Sequence, residues 1–242
     1  MTLIADGIYL FLLAAVVAVA PIVGRRDQRR LERELADGDP SARARSYVSG
    51  MGLEWITAGV LFASWLFTTR RFEDVFLVPG WSGREWVAVA AGALVGAVMV
   101  AQTIAFRGRH ALLAKVREKA GTALLLAPRT PRELRLFDGL SLAAGVCEEL
   151  VYRGLLLGTL AAWIGLWPAV LVSSIVFGLA HVYQGAAGAM RAGLFGAVAA
   201  GLTVFSGSIY LAVVVHVIVD ASQGRLLAMA LRSEPQTNGR AK

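Results

Sequence analysis

Seven apolar runs of near membrane-spanning length restrict the folds that are open to this sequence. The runs are Leu3–Val23, Leu53–Phe67, Trp86–Phe106, Gly139–Trp163, Trp167–Tyr183, Ala189–Phe205 and Ile209–Leu231. A helix needs about 20 mostly apolar residues to cross a bilayer, so each run predicts one membrane helix, although the second run is short. A hydrophobic fraction of 57% and a mean hydropathy of +0.61 exceed those of soluble domains. We therefore predict an all-α fold, a polytopic transmembrane helical bundle with about seven membrane helices.

Basic residues lie mainly between these runs, where they bear on membrane orientation rather than on nucleic-acid binding. The polar linker 25–49 holds seven arginines, and the loop 107–137 holds eight lysines and arginines. Because positive loops stay in the cytoplasm, alternation of seven helices places the N-terminus outside and the C-terminus inside. The composition, rich in Ala, Arg, Gly and Val, is typical of a GC-rich bacterial gene. We expect an integral protein of a bacterial plasma (inner) membrane with no nucleic-acid partner.

The long basic loop contains two segments that predict structure of their own. Ala111–Leu126 mixes leucines with charged residues, which is typical of an amphipathic helix at the cytoplasmic membrane interface. Thr130-Pro131-Arg132-Glu133 predicts a helix start, with Thr130 as the N-cap, proline at the first helical position and Glu133 closing a capping box. We divide the single membrane domain, residues 1–242, into N-terminal helices and basic loops (1–130), a core (131–231) and a polar tail (232–242).

Three charged residues interrupt the apolar run Gly139–Trp163. Such residues inside a bilayer cost about 3 kcal/mol or more and mark functional sites by default. Glu149 and Arg153 are four residues apart, so they share a helix face and can pair. Glu148 lies about 100° round the helix without that partner. A buried carboxylate with no cationic partner accepts a proton readily, which suits a general base. The alternative is a purely structural ion pair, with Glu148 lining a polar crevice.

Histidines are few, so each can be weighed separately. His181 ends one apolar run, and His216 lies four residues before Asp220 on a common helix face. His110 falls in the basic loop and reads as a solvated residue. The single cysteine, Cys147, excludes an intramolecular disulfide, and in a helix it is a small packing residue rather than a nucleophile paired with His181.

If the predicted helices were straight, Glu148, His181 and His216 would lie at different depths in the membrane. Measured from Phe137, Glu148 lies about 15 Å along its helix. His216 lies about 20 Å from the cytoplasmic end of the last helix, and His181 falls near the cytoplasmic end of its own. Convergence would therefore require tilt, an unwound end near Gly185–Gly188 or a cavity.

Three spaced motifs together resemble the CPBP family of intramembrane proteases. They are Glu-Glu-x-x-x-Arg at 148–153, Phe-x-x-x-His at 177–181 and His-x-x-x-Asp at 216–220, in that order on apolar helices. The family is also known as the CAAX-processing, type II CAAX prenyl endopeptidase, bacteriocin-processing or Abi family. The resemblance covers about Leu134 to Gln223 and implies an endopeptidase in which a glutamate activates water inside a membrane cavity. Its substrate would be a membrane-anchored protein or peptide, cut near one terminus.

The resemblance also implies a role for each matching residue. Glu148 would be the general base and His181 would help to hold the water. His216 and Asp220 would stabilise the oxyanion. Glu149 and Arg153 would form the supporting pair, beside which Phe177 packs. The position of Asp220 is often asparagine in the family, although aspartate also occurs there. Because an ionised aspartate only accepts hydrogen bonds, Asp220 would have to be protonated, orient His216 or join a metal site.

The need for a metal stays open at this point. We favour a mechanism that requires no cofactor, because the His-Glu-x-x-His signature is absent and no two histidines share a helix. The alternative is a zinc-dependent version of the same protease, in which Glu148, His181 and His216 would be the ligands. Family members have been described as metalloproteases and as glutamic-type proteases.

Other classes of protein remain as alternatives. A serine protease would draw on Ser173, Ser174, Ser206 or Ser208, but no Gly-x-Ser-x-Gly context surrounds them. An ion- or proton-coupled transporter would use the carboxylates as a relay, yet no inverted repeat is visible. A non-catalytic immunity or scaffold protein would keep the motifs for structure. The substrate (a prenylated CAAX protein, a bacteriocin or immunity protein, or a sorting-tag protein) and the oligomeric state do not follow from the sequence.

Overall fold

The computed structural model describes residues 2–78, 83 and 85–232, and these residues are almost entirely helical. The nine α-helices of the described residues are α1 (Thr2–Ala36), α2 (Ala42–Leu66), α3 (Glu85–Ala105), α4 (His110–Ala120), α5 (Pro131–Glu148), α6 (Leu157–Ile164), α7 (Leu166–Ala180), α8 (Gly185–Ser206) and α9 (Tyr210–Arg232). Three 3₁₀ turns (Phe72–Val75, Gly121–Leu126 and Val182–Gln184) and a π-helical segment (Glu149–Leu156) join them. The predicted all-α fold is confirmed, while the polar tail beyond Arg232 lies outside the described residues.

Membrane-spanning helices are present, but their number is not fixed at seven. Among the described residues, three helical stretches are long and apolar enough to cross a bilayer: Leu3–Ala36, Val182–Ser206 and Tyr210–Arg232. A fourth arises if Val89–Ala105 and His110–Leu126, which meet at 118°, form one broken span. Large apolar side chains such as Phe11 and Trp167 point outward, 72% and 70% exposed, as lipid-facing residues do. The chain is an integral membrane protein, and the count of seven stays a prediction.

The linker predicted after the first apolar run is wrong in part, because α1 continues through it to Ala36. Arg30 pairs along the helix with Asp27 and Glu34, at 3.5 and 3.9 Å. Ion pairs three and four residues apart support a helix in water. The interleaved acids and arginines that suggested a linker therefore extend the first membrane helix beyond its apolar part.

The segment 131–231, defined above as the core of the domain, begins with the predicted helix start. The Thr130 hydroxyl accepts the backbone N–H of Glu133 at 3.1 Å, and the Glu133 carboxylate accepts the backbone N–H of Thr130 at 3.3 Å. With Pro131 at the first helical position, this capping box confirms the predicted start of α5. The amphipathic segment before it is helical as expected, in α4 and the following 3₁₀ turn. Its position at the membrane interface stays a prediction.

Helices α5 and α9 pack closely in opposite directions. Arg225 donates both terminal nitrogens to the Asp138 carboxylate, at 2.7 and 2.9 Å. Glu148 lies ten residues beyond Asp138 and His216 lies nine residues before Arg225, so both are about 14 Å from this contact. The difference in depth expected from the sequence does not occur, because the two distances had been measured from helix ends that are not at one level.

Helix α7, which is followed directly by His181, is short. Helix α7 has 15 residues and is about 22 Å long, shorter than the roughly 30 Å hydrocarbon layer. His181 is its C-terminal cap, and the 3₁₀ turn Val182–Gln184 leads at once into α8. The chain therefore turns at His181, beside Glu148.

We predict that Gly145→Ala destabilises the bundle. A methyl group there would lie 2.5 Å from Val217 Cγ2 and 3.1 Å from the Val217 backbone nitrogen, so α5 and α9 would have to separate. Overpacking of this kind lowers the free energy of unfolding by about 1–3 kcal/mol. Thermal unfolding in detergent measures the change. The matched control is Gly59→Ala, where nothing lies within 4 Å; equal loss in both variants would contradict the packing argument.

Candidate active site

The Glu149 carboxylate lies at the centre of the site and holds two helices together. Its Oε1 accepts hydrogen bonds from Arg153 Nη1 at 2.8 Å and from His216 Nδ1 at 2.7 Å. The Glu149 and Arg153 side chains are 0% and 2% exposed. The structure thus contains the predicted pair, on π-helical rather than α-helical turns, and adds His216 as a third member.

An aromatic cluster encloses the pair. The Arg153 guanidinium carbon lies 4.1 Å from the centre of the Phe177 ring, a cation–π contact that replaces hydration on one face. Phe177 also contacts the rings of Tyr152 and His181, with centroids at 5.0 and 4.5 Å. Gly196 leaves the room that Arg153 needs, because a Cβ there would lie 3.3 Å from Nη2. Phe177 therefore packs against Arg153, Tyr152 and His181.

Hydrogen bonds fix the orientation of both histidine rings. His181 Nδ1 lies 2.8 Å from the Phe177 carbonyl oxygen. Since a carbonyl only accepts, this contact requires the proton on Nδ1 and leaves Nε2 facing the site. His216 Nδ1 is likewise committed to Glu149. In functional histidines, a hydrogen bond to one ring nitrogen commonly fixes the orientation of the ring and so determines that the other nitrogen faces the site.

The two free ring nitrogens converge on one atom. Nε2 of His181 and Nε2 of His216 lie 3.8 and 3.9 Å from Oε2 of Glu148. This oxygen is buried and has no hydrogen-bond partner among the described residues. Asp220 Oδ2 lies 3.6 Å from His216 Nε2, at the more open side of the site. The four predicted catalytic residues, Glu148, His181, His216 and Asp220, therefore come together in one cluster.

The other residues weighed from the sequence do not join this cluster. Cys147 is fully buried in the same apolar core cluster as Tyr152. Ser173 and Ser174 donate to the carbonyl of Val170, at 3.2 and 2.6 Å. Ser206 donates to the carbonyl of Ser208 at 2.9 Å. His110 opens α4 as an exposed residue.

The sequence analysis did not identify two residues that lie at the site, Glu54 and Tyr183. Glu54 of α2 lies within electrostatic range of Glu148, and the Tyr183 ring stacks on His181 at 5.8 Å between centroids. Glu54 carried a usable signal, because it is the one ionisable residue of the run Leu53–Phe67. Tyr183 carried none, since its place depends on the turn that follows His181.

A metal set is not apparent in the part of the chain that the structure describes. No group of three or more His, Cys, Asp and Glu side chains there is arranged to hold a metal ion. The residues named for a zinc site, Glu148, His181 and His216, therefore do not form a ready ligand set in the part of the chain that the structure describes.

Comparison with known proteins identifies the segment that carries the site. A family model described as type II CAAX prenyl endopeptidase Rce1-like matches residues 132–222. Searches of curated proteins and of solved structures gave no match. The matched segment contains all three motifs, and the resemblance inferred from them is confirmed.

We predict that Glu149→Gln lowers the free energy of unfolding by about 3–5 kcal/mol, because it leaves the buried Arg153 guanidinium without a counter-charge. Denaturation in detergent measures the loss. The double variant Glu149→Gln/Arg153→Met removes both charges and should recover part of that stability. A single variant as stable as wild type, or a double variant less stable than the single, would contradict this role for the pair.

Proposed function

Because a family model described as type II CAAX prenyl endopeptidase Rce1-like matches residues 132–222, we propose that this protein is an intramembrane endopeptidase. Its reaction is hydrolysis of a peptide bond in a membrane-anchored protein or peptide, near one terminus. The observation that carries this proposal is the convergence of His181 Nε2 and His216 Nε2 on Glu148 Oε2.

The first step assigns the nucleophile and its base. A water molecule between Glu148 and His181 donates one proton toward Oε2 of Glu148 and the other toward Nε2 of His181. Glu148 takes the first proton as the water oxygen attacks the scissile carbonyl carbon, and later passes it to the leaving amine. Burial supports this role, because the Glu148 side chain is 15% exposed and few solvent molecules compete for its oxygen.

The second step stabilises the oxyanion. His216, held at Nδ1 by Glu149, presents Nε2 to the site and can donate a proton from that nitrogen to the developing negative charge. Asp220 lies 3.6 Å from the same Nε2. An ionised aspartate at this position supports the charge on His216 rather than contacting the oxyanion, which accounts for aspartate where the family often has asparagine.

The setting favours a substrate that reaches the site from the membrane. Apolar helix faces surround the polar cluster, and Asp220 marks its more open side with a side chain 36% exposed. An anchor in the bilayer would keep the substrate near this opening. We place the N-terminus outside and the C-terminus in the cytoplasm of a bacterial plasma membrane, from the distribution of arginines.

We predict that Glu148→Gln and His181→Ala each abolish one or a few terminal cleavages in a host that carries the gene. Loss of a positioned acid–base group lowers the rate by about 10²–10⁴-fold. Comparison of membrane and secreted proteomes identifies the uncut substrates. Cys147→Ser and His110→Ala are the matched controls and should process normally. If both site variants fold and cleave everything that wild type cleaves, the protein is a transporter or scaffold on this fold instead.

We further propose that the reaction needs no metal, supported by the lack of a ready ligand set among the described residues. Purified protein should keep its activity after exhaustive chelation and dialysis. Loss of activity that added zinc restores would instead favour the zinc-dependent version, with Glu148, His181 and His216 as ligands.

A further inference from the structure

Four arginines form a stripe on α1 directly after its apolar part. As a helix, the run Leu3–Val23 is about 30 Å long, which matches the hydrocarbon layer of a bilayer. The α1 arginine stripe, which extends over the next 12 Å or so of the helix, consists of Arg25, Arg26, Arg29 and Arg33. The stripe therefore begins at the depth where the lipid headgroups begin.

The stripe lies on the face of α1 that points away from the other helices. On the inner face, Gly24 packs against the Tyr183 ring, where a Cβ would be 2.6 Å from Cδ1, and Leu31 is buried. Arg29 follows Gly24 by five residues, which places it about 140° round the helix. All four arginines of the stripe are exposed. Their charges therefore face the surroundings of the protein rather than its interior.

The same face of α1 is apolar along the part that crosses the membrane. Large apolar side chains there lie within about 60° of the direction of Arg29 and are exposed: Ile4, Ile8, Phe11 and Ile22. Exposed apolar residues in a membrane helix contact acyl chains, and basic residues at its end reach the headgroups. One continuous face of α1 thus has hydrocarbon contacts along its length and positive charges at its end.

No carboxylate of the described residues neutralises the stripe. Arg30, on an adjacent face, pairs with Asp27 and Glu34. By contrast, none of the four arginines of the stripe takes part in an ion pair within the part of the chain that the structure describes. A groove of about 530 Å³ lies among their side chains, next to Ile22. The groove is therefore positively charged and opens beside an apolar, lipid-facing surface.

We propose that the α1 arginine stripe binds the headgroup phosphate of an anionic phospholipid, whose acyl chains lie along the apolar part of the same face. Guanidinium groups present paired N–H donors that match the oxygens of a phosphate. Each basic residue near an anionic membrane surface strengthens binding about fivefold (about 1 kcal/mol). The proposal does not rest on the proposed function, because no residue of the candidate active site lies on this face of α1.

Lipid contact can be measured at the stripe itself. In a Cys147→Ser background, Ile22→Cys carries a single fluorophore beside the arginines. The protein is reconstituted into phosphatidylcholine vesicles that contain nitroxide-labelled phosphatidylglycerol or nitroxide-labelled phosphatidylcholine. Quenching at residue 22 should show that the anionic lipid associates at least about tenfold more strongly. Leu179→Cys, at an exposed position of the uncharged helix α7, is the control and should show less than about a twofold preference.

Comparison of unpaired with paired arginines separates a binding site from an effect of net charge. Arg26→Gln/Arg29→Gln removes two charges of the stripe and should lower the preference at residue 22 at least about fivefold. Arg30→Gln/Arg45→Gln removes two charges that are already paired with Glu34 and should lower it less than about twofold. Sodium chloride should weaken the preference of the protein with all its arginines, since salt screens exposed charges.

Four results would each overturn the proposal. They are equal quenching by the two lipids at residue 22, an equal preference at residues 22 and 179, an equal loss in the two double variants, and a preference that salt does not weaken. Displacement of the anionic lipid by inorganic phosphate, at an ionic strength matched with sodium chloride, would also overturn it, because the stripe would then bind a soluble phosphate. Thermal unfolding in detergent verifies that each variant is folded, and the salt dependence tests the proposal with every arginine in place.

Discussion

A single buried carboxylate oxygen holds the structure of the site together. Oε1 of Glu149 binds Arg153 on its own helix and His216 on α9, within an apolar bundle. Breaking such a contact is expensive, because any member left alone would be an uncompensated charge in a low-dielectric interior. The aromatic face of Phe177 further limits the ways in which Arg153 can be placed. The arrangement of α5 and α9 therefore follows from electrostatics as well as from close packing.

The contact between Glu149 and His216 also orients the other residues of the site. Because Glu149 occupies Nδ1 of His216, the other nitrogen of the ring faces Glu148 and Asp220. The early end of α7 places His181 opposite, where its own Nδ1 is bound to a backbone carbonyl. Oε2 of Glu148, which has no hydrogen-bond partner among the described residues, then faces two oriented rings. Hydrolysis by activated water is the chemistry that such an arrangement supports best.

Predictions from the sequence succeeded where one helix contains the whole interaction. The Glu149–Arg153 pair and the capping box at Thr130 depend on spacings of three or four residues, which a helix converts directly into contact. Depth was the weak point, because it was measured along separate helices without a common reference. Glu54 was missed although its isolated charge was visible, because no local spacing links α2 to Glu148.

Amino-acid order alone decides that this chain forms apolar helices and that a few charged side chains must be buried within them. Those properties follow from transfer free energies and helical periodicity, which act within a single run. Tertiary structure alone decides which buried groups meet. His216 and Glu149 are 67 residues apart, and Glu54 and Glu148 lie on helices separated by two others in the chain. Such contacts depend on how closely the helices can approach, as at Gly145, where the absence of a side chain leaves room for Val217.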